Sequence, residues 1–527
     1  MRPHPRLASL AFALCALAPH VTRAQVLVPG FSDSIVSQNL DLPVAFDFFP
    51  DGRLVFAEQA SGKLRLLVNG HLSTIDPIVT LPNVRYGGER GLLGVAVDPE
   101  FPARPYLYTH MTHTDGHIRI SRWTVTGDLA NTGNGALTSD PASRFDLLTT
   151  LTDAASNHNG GTVRFGTDGM LYVSLGDDAS NCNAQVVDSL KGKILRLRTN
   201  TLPAGPGLAT LAQLTPADNP FVSDPVPAGR LVYAYGLRNP FRVQVDDVLR
   251  CLIVGDVGLD TYEEINLLAQ PGGSGAGMGA AGSNFGWPWR EGDMAYMACG
   301  GSEPAYTHAI YIFDRANYPG ASIMAGPAYH VRMNGTANFP NRYEGDIFFS
   351  EYTSGDVFRL RRNGNTWALA PADSGQQDPK VWATGFENVS DWRLGPDGAV
   401  WACRQFKPGF FRNAGTIERV GYVSTSGVPP GHTSYHLRLS AYPTPATGPV
   451  SLSLQSDAPG EVHVRVFDLR GRLVRELPSQ RPGGPSLSTT VLWDGLDSEG
   501  RKTANGVYFA RASASGSDTG CTIVLAR

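Results

Sequence analysis

Four segments in the middle of the chain combine residue types that could do chemistry. In Asn157-His158-Asn159-Gly160-Gly161 a histidine precedes a glycine pair. Such a loop can present an imidazole as a general base while the glycines let a ligand approach the backbone. Nineteen residues later Gly176-Asp177-Asp178 offers carboxylates. If neighbouring loops bring Asp177 to the His158 ring, it fixes the ring's tautomer and orientation; the plainer reading is that both aspartates cap turns. Gly236-Leu237-Arg238-Asn239-Pro240 ends a strand at proline and leaves a guanidinium at its rim, able to clamp an anion or stabilise a developing negative charge. Read blandly, Arg238 is half of a structural ion pair. Gly255-Asp256-Val257-Gly258-Leu259-Asp260-Thr261-Tyr262-Glu263-Glu264 mixes carboxylates with free carbonyls, the hard oxygen donors that Ca²⁺ prefers. His110, His113 and His117 fall on an alternating strand and its Thr114-Asp115-Gly116 turn, so they read as an ordinary hairpin rather than a zinc site.

The elements that must position these groups are turn-rich and β. The 527 residues include 59 Gly and 38 Pro but only 17% charged residues, a balance that argues against helical bundles and coiled coils. A net charge of −4 provides no basic footprint for nucleic acid. A unit recurs: an apolar strand, a Pro/Asp-Gly turn, a second alternating strand, then a glycine turn and a third strand. Clear copies are Phe46–Phe56 with Gly62–Leu66, Val163–Val173 with Gly192–Leu197, and Trp392–Trp401. Looser ones run through Leu93–Val125, Val232–Leu268 and Tyr343–Arg361, about six in all. The Asp-Gly step suits a hairpin in which both central residues take positive φ, and one unit cannot bury its apolar face alone. The pattern predicts an all-β chain with a six-bladed β-propeller, its long inserts Thr201–Ala228 and Pro271–Ser283 lying as loops over one face.

The ends read differently. Arg2 and Arg6 precede the apolar run Leu7–Ala18, and Thr22-Arg23-Ala24 supplies a small-x-small cleavage site, so residues 1–24 are expected to be a secretory signal peptide and the protein to be secreted. The run is too short to span a bilayer, which needs about 20 residues, and no membrane span is expected elsewhere. Cys182, Cys251, Cys299, Cys403 and Cys521 then remain, an odd number in an oxidising compartment, with pairing open. Residues 25–422 form the propeller region, 423–436 a Ser/Gly/Pro-rich linker, and 437–527 a small β-sandwich of about seven strands. The tail carries Val464-Arg465-Val466-Phe467-Asp468-Leu469-Arg470-Gly471, Trp493-Asp494-Gly495 and Asn505-Gly506-Val507-Tyr508-Phe509. In these it resembles the Ig-like domain of the flagellar hook-capping family and the C-terminal sorting domains of secreted bacterial proteins, which implies a contact with secretion machinery.

From about Gly88 to Tyr422 the chain resembles the soluble glucose/sorbosone dehydrogenases, six-bladed quinoproteins that use pyrroloquinoline quinone (PQQ) and Ca²⁺. The likeness lies in Glu89-Arg90-Gly91-Leu92-Leu93-Gly94, His158 through Asp177, Leu190–Arg196, Gly236–Pro240, Gly255–Gly258, Glu263–Leu267 and Asn284-Phe285-Gly286-Trp287-Pro288. It implies that His158 is the base that takes the proton from the sugar's anomeric hydroxyl while hydride passes to the quinone. Asp177 orients it and Arg238 lies beside the reacting oxygens. Glu89, Arg238, Asn239 and Thr353 fall on cofactor-contacting positions, the carbonyls of Gly258 and Leu259 on the catalytic Ca²⁺ site, and Glu264 with the backbone of Phe285 on a structural Ca²⁺ site. An external electron acceptor is implied as well.

The sequence departs from the family where the cofactor's charge is met. Only 6 of the 44 basic residues are lysines. Thr353 stands where the best-known members place a lysine, Asn388 and Ser390 where they place paired arginines, and Glu89 where they have glutamine. PQQ carries three carboxylates, and each missing charge-assisted bond is worth roughly 1.5–3 kcal/mol. Two function classes follow: a secreted quinoprotein oxidising aldoses or related hydroxyl compounds, or a catalytically inactive propeller that binds carbohydrate or protein, as in relatives resembling hedgehog-interacting proteins.

Overall fold

The computed structural model describes residues 25–526 apart from 276, 407–411, 424–436, 457–460, 469–472, 481–487 and 515–516. The expected signal peptide and nearly all of the expected linker lie outside the described residues. Two compact units meet at Val423/Ser424.

In the first unit six sheets, antiparallel apart from two short edge strands, follow one another along the chain. Their inner strands are Pro43–Phe48 (blade 1), Leu92–Val97 (blade 2), Val163–Phe165 (blade 3), Pro240–Asp246 (blade 4), Ile323–Ala328 (blade 5) and Val389–Leu394 (blade 6). Each inner strand contacts those of the next and previous blades, and blade 6 returns to blade 1. The ring is closed by Phe31–Leu40, which comes before blade 1 in the chain yet pairs as the outer strand of blade 6, from Phe31↔Tyr422 to Leu40↔Gly415. The expected unit Val232–Leu268 is divided in the structure: Val232–Tyr235 is the outer strand of blade 3, and blade 4 starts at Pro240.

Period-2 alternation explains why the ring holds. Blades are buried on both faces, so successive residues of one strand enter different cores. In blade 3 Leu171, Val173 and Leu175 pack toward blade 2 while Tyr172 packs toward blade 4. In blade 4 Leu252 and Val254 face blade 3, and Cys251 and Ile253 face blade 5. Each interface thus has its own apolar core, and Cys251 and Cys403 are packing residues within two of them.

The recurrent turn is not the one expected. In all three clear copies the loop closes a type I turn with a following glycine: Gly52 N–H donates to Phe49 O (3.0 Å), Gly169 to Gly166 O (3.0 Å) and Gly398 to Gly395 O (3.1 Å). Only the glycines take positive φ, at 88°, 72° and 82°. Pro50 and Pro396 at the second position are locked near −65°, which suits type I geometry, Thr167 takes that place in the other copy, and in all three the aspartate accepts from the residue after the glycine. These turns join the first and second strands, so they lie on one face. The opposite, upper face carries the loops that enter each inner strand and those that join second to third strands.

The axis is filled by charge rather than oil. Arg164 pairs with buried Asp391 at 2.6 Å, and Gln244 Nε2 donates to the other Asp391 oxygen at 3.0 Å. Arg242, wholly buried, donates to the carbonyls of Ser390 and Val44 (both 2.6 Å) and Leu93 (3.2 Å). Burial alone would raise the Asp391 carboxyl, but Arg164, Arg242 and Arg393 hold it below its usual range.

The second unit contains a three-stranded sheet (Leu437–Tyr442, Val450–Ser456, Ser488–Trp493) and a four-stranded one (Leu473–Gln480, Val462–Asp468, Gly506–Ala514, Ser517–Leu525). Leu452, Leu454 and Trp493 of the first share one core with Val464, Ala510 and Ile523 of the second.

Candidate functional site

The His158 loop enters the inner strand of blade 3, and Asp177 lies in that blade's second-to-third-strand loop, so the two meet on the upper face. Asp177 Oδ1 lies 2.6 Å from His158 Nδ1, and Asp177 Oδ2 accepts from Trp287 Nε1 at 2.8 Å. Both carboxylate oxygens are therefore directed, and Nε2 is the nitrogen left for a substrate. Asp177 also accepts from Ala179 N at 2.9 Å, so it caps its turn and orients the histidine at once. Asp178 only pins loops, accepting from Ala154 N (3.0 Å) and Ala155 N (2.7 Å) and pairing with Lys191.

His158 sits at φ 58°, in the left-handed region where a residue with a Cβ is strained. Its surroundings impose that geometry. Glu89 Oε2 accepts its N–H at 2.8 Å, and Asn159 Nδ2 donates to Asp153 Oδ1 at 2.9 Å. A Cβ on Gly176 would come within 2.0 Å of the His158 carbonyl, so only glycine lets the two loops approach this closely.

Asn239 joins this loop to blade 4: its Nδ2 donates to Glu89 Oε2 (3.1 Å) and its Oδ1 accepts from Gly160 N (3.1 Å). The backbone N–H groups of Arg238 and Asn239 both donate to Asp256, at 3.0 and 2.7 Å. Burial, with Glu264 nearby, pushes the Asp256 carboxyl up to about 8. Arg238 donates from Nη1 to Val257 O at 2.9 Å and stacks its guanidinium 5.6 Å over the Trp287 ring, while its buried Nε has no partner. The structure thus brings His158, Asp177, Arg238, Asn239 and Glu89 together.

The carbonyls expected to hold Ca²⁺ are engaged by the protein. Arg315 Nη1 donates to Leu259 O and, at 3.3 Å, to Gly258 O, and lies 3.3 Å from Glu263 Oε1. A divalent ion about 4 Å from a guanidinium meets a repulsion on the order of 8 kcal/mol at an effective dielectric of about 20. The Gly258 and Leu259 carbonyls expected to hold Ca²⁺ thus face the Arg315 guanidinium. At the expected second site Glu264 Oε1 accepts from Gly292 N (2.9 Å) and Oε2 from Asn266 Nδ2 (3.0 Å). Phe285 buries its ring between blades 3 and 4. Among the described residues the group with metal-holding geometry is Asp246, Asp247 and His330, at the far end of blade 4's inner strand, where both His330 nitrogens already face carboxylates.

Thr353 lies exposed in blade 5's upper loop, its hydroxyl on Gly320 O at 3.4 Å. Asn388 is on the same face, in the left-handed region at φ 63°. Ser390 is not: it is wholly buried, with its hydroxyl in hydrogen-bond reach of Val44 O (3.0 Å) and Cys403 O (3.2 Å), so its side chain is taken up between blades 6 and 1. Between these lies a chain of neutral groups, Tyr352 to Gln405 (2.5 Å), Gln405 to Gln59 (2.8 Å) and Gln59 to Arg90 O (3.1 Å).

Sequence reading gave Trp287 no role and missed Arg315 altogether. The insert Pro271–Ser283 does not lie over the face. It runs along the blade edge, pairing Met278 and Gly279 with Leu267 and Leu268, and delivers Trp287 to Asp177. Tyr296 stacks on Trp287 at 5.1 Å and 13°, and the disulfide Cys182–Cys299 ties this region to the loop after Asp177. The insert Thr201–Ala228 instead extends blade 2's edge through Gly207–Leu208. A cleft of about 170 Å³ reaches His158 from between blades 2 and 3. Ligand pockets usually measure about 300–1,000 Å³, so this cleft is smaller than a typical ligand site.

The structure is thus a closed six-bladed propeller with a histidine–aspartate pair and a guanidinium together on one face. The chain belongs to the Glucose / Sorbosone dehydrogenase family, whose model matches residues 40–337. It is 25% identical over 385 residues to the aldose sugar dehydrogenase YliI of Escherichia coli (strain K12), covering 70% of this chain and 88% of that one. It is 26% identical over 308 residues to the quinoprotein glucose dehydrogenase B of Acinetobacter calcoaceticus, covering 53% and 56%. The PQQ-bound aldose sugar dehydrogenase of Streptomyces coelicolor shares the fold, with a TM-score of 0.51 at 22% identity over 75% of this chain and 99% of that one.

Proposed function

We propose that this chain is a secreted sugar oxidoreductase that oxidises an aldose or related hydroxyl compound with PQQ as its electron acceptor. The observation that carries the reading is the His158–Asp177–Trp287 relay, with contacts of 2.6 and 2.8 Å, next to a guanidinium that has an unused buried donor. A bound PQQ would supply the hydride acceptor. Asp177 holds the Nδ1–H of His158, so Nε2 carries the lone pair and takes the proton of the sugar hydroxyl. The resulting imidazolium stays paired with the carboxylate that Trp287 keeps from rotating. Arg238 faces the oxygens that gain negative charge.

The residues present fit the quinone's reactive end, where Arg238 supplies a free Nε–H donor. The groups that would face its three carboxylates are mostly neutral: Thr353, Asn388 and the Tyr352–Gln405–Gln59 chain. Secretion is supported by the leader and by a disulfide that persists in oxidising compartments. No helix among the described residues is long and apolar enough to cross a membrane. We assign the tail sandwich to an Ig-like sorting role with the secretion machinery, on its resemblance alone.

The test is reconstitution of the purified protein with PQQ, with and without Ca²⁺, and dye reduction with a panel of aldoses. Micromolar uptake with sugar-dependent reduction is expected. Failure to take up PQQ under either condition refutes this reading and favours the binding module. His158→Asn, which tolerates positive φ, should retain uptake and lose turnover by about 10²-fold or more.

A further inference from the structure

Arg315 directly follows the outer strand of blade 4, and its backbone N–H donates to Thr261 O at 3.0 Å. This brings its side chain under the Gly258–Tyr262 loop, where Nη1 reaches the Gly258 and Leu259 carbonyls and Glu263. On the amide side of the same loop one carboxylate oxygen, Glu291 Oε1, accepts from Leu259, Asp260, Thr261 and Tyr262 N–H at 2.8–3.2 Å. The loop's carbonyls therefore meet a cation and its amides an anion, both supplied by the chain itself.

We propose that Arg315 stands in for a divalent cation: its guanidinium provides the positive charge on the Gly258 and Leu259 carbonyls, and the loop assembles without metal. Three observations carry this. Ca²⁺ requires about 6–8 oxygen ligands, and the two carbonyls here already have a charged donor. A guanidinium does not deprotonate, so it cannot yield its place by losing charge. The Arg315 side chain is only 12% exposed and lies within ion-pair distance of Glu263, so its charge is held beside the loop. One residue before Gly258, Val257 O accepts from Arg238 Nη1 at 2.9 Å. Arg315 is thus a positioning residue that acts through this loop on Arg238. What Arg238 then stabilises rests on the quinone reading above; the exclusion of metal does not.

Metal binding separates the two. Chelator-treated full-length protein is titrated with Tb³⁺, followed by luminescence, and with Ca²⁺, followed by calorimetry and thermal melting. Wild type should show no stoichiometric site and no Ca²⁺-dependent rise in melting temperature. Arg315→Ala should bind Ca²⁺ at least tenfold more tightly than wild type and regain thermal stability on its addition, a gain that the loss of a purely structural arginine would not produce. Arg315→Lys keeps a cation and should remain indifferent to Ca²⁺, which serves if the alanine variant does not fold. A wild-type site of one Ca²⁺ per chain, or PQQ uptake that requires Ca²⁺, overturns the inference. Absence of PQQ uptake with and without Ca²⁺ refutes the quinone reading alone, because the Tb³⁺ titration still decides the role of Arg315.

Discussion

Glu89 accepts from His158 N at 2.8 Å and from Asn239 Nδ2 at 3.1 Å through the same oxygen, so one carboxylate sets both the strained histidine and the amide beside it. The amide oxygen of glutamine could accept both bonds without the negative charge. Glu89→Gln should therefore keep the His158 geometry and tighten binding of a tricarboxylate quinone about tenfold, or about 1.4 kcal/mol. A fluorescence titration with PQQ measures this, and an unchanged affinity would place the quinone's carboxylates away from Glu89. The residue types were legible because each motif is short and local: the His158–Asp177 pair and the Arg238 rim could be read from glycines and a proline. Arg315 was not, because nothing near it in the chain signals that it turns back to a loop some fifty residues earlier.

The upper-face elements are held by links of long sequence separation. Cys182–Cys299 closes a separation of 117 residues and fixes the Trp287–Tyr296 stack next to the Asp177 loop. Losing such a bridge costs about 2–4 kcal/mol in typical domains. Cys299→Ser should lower the melting temperature and, because Trp287 orients Asp177, lower kcat more than it lowers PQQ uptake. Equal losses in both would show that the bridge serves stability alone. The sequence left cysteine pairing open because alternation predicts which residues are buried and not which loops meet. Cys251 and Cys403 remain unpaired because their strands place them in two different interblade cores. The turn differs for a local reason: Asp-Gly occupies its third and fourth positions rather than the two central ones, so only the glycine takes positive φ.

At the scale of the ring, stability depends on one closing strand. Asp33 on that strand is pushed from 3.8 up to about 6, by burial first and then by Glu418, against Gln25 and Arg404. A raised carboxyl binds its proton more tightly in the folded than in the unfolded chain. Its contribution is therefore complete below about 3.8 and is lost as pH rises through about 6. Asp33→Asn should remove this dependence: its melting temperature relative to wild type should rise between pH 4 and pH 7. A constant difference across that range would place the titration elsewhere. The closure itself was not legible, since strand Phe31–Leu40 carries no copy of the repeated turn and finds its partner nearly 400 residues away.

What the sequence determined by itself was the kind of unit, its approximate number and the His158 and Asp177 loops as candidates to meet. Strand alternation, turn glycines and a histidine before two glycines are all written within a few residues of one another. The tertiary structure decided what depends on meetings across the ring: the strand that closes it, the indole that directs Asp177, and the burial of Ser390 between blades 6 and 1. It also decided that the Gly258 and Leu259 carbonyls face a guanidinium. A carbonyl at the surface of a loop looks the same in any sequence, and only the fold supplies its partner.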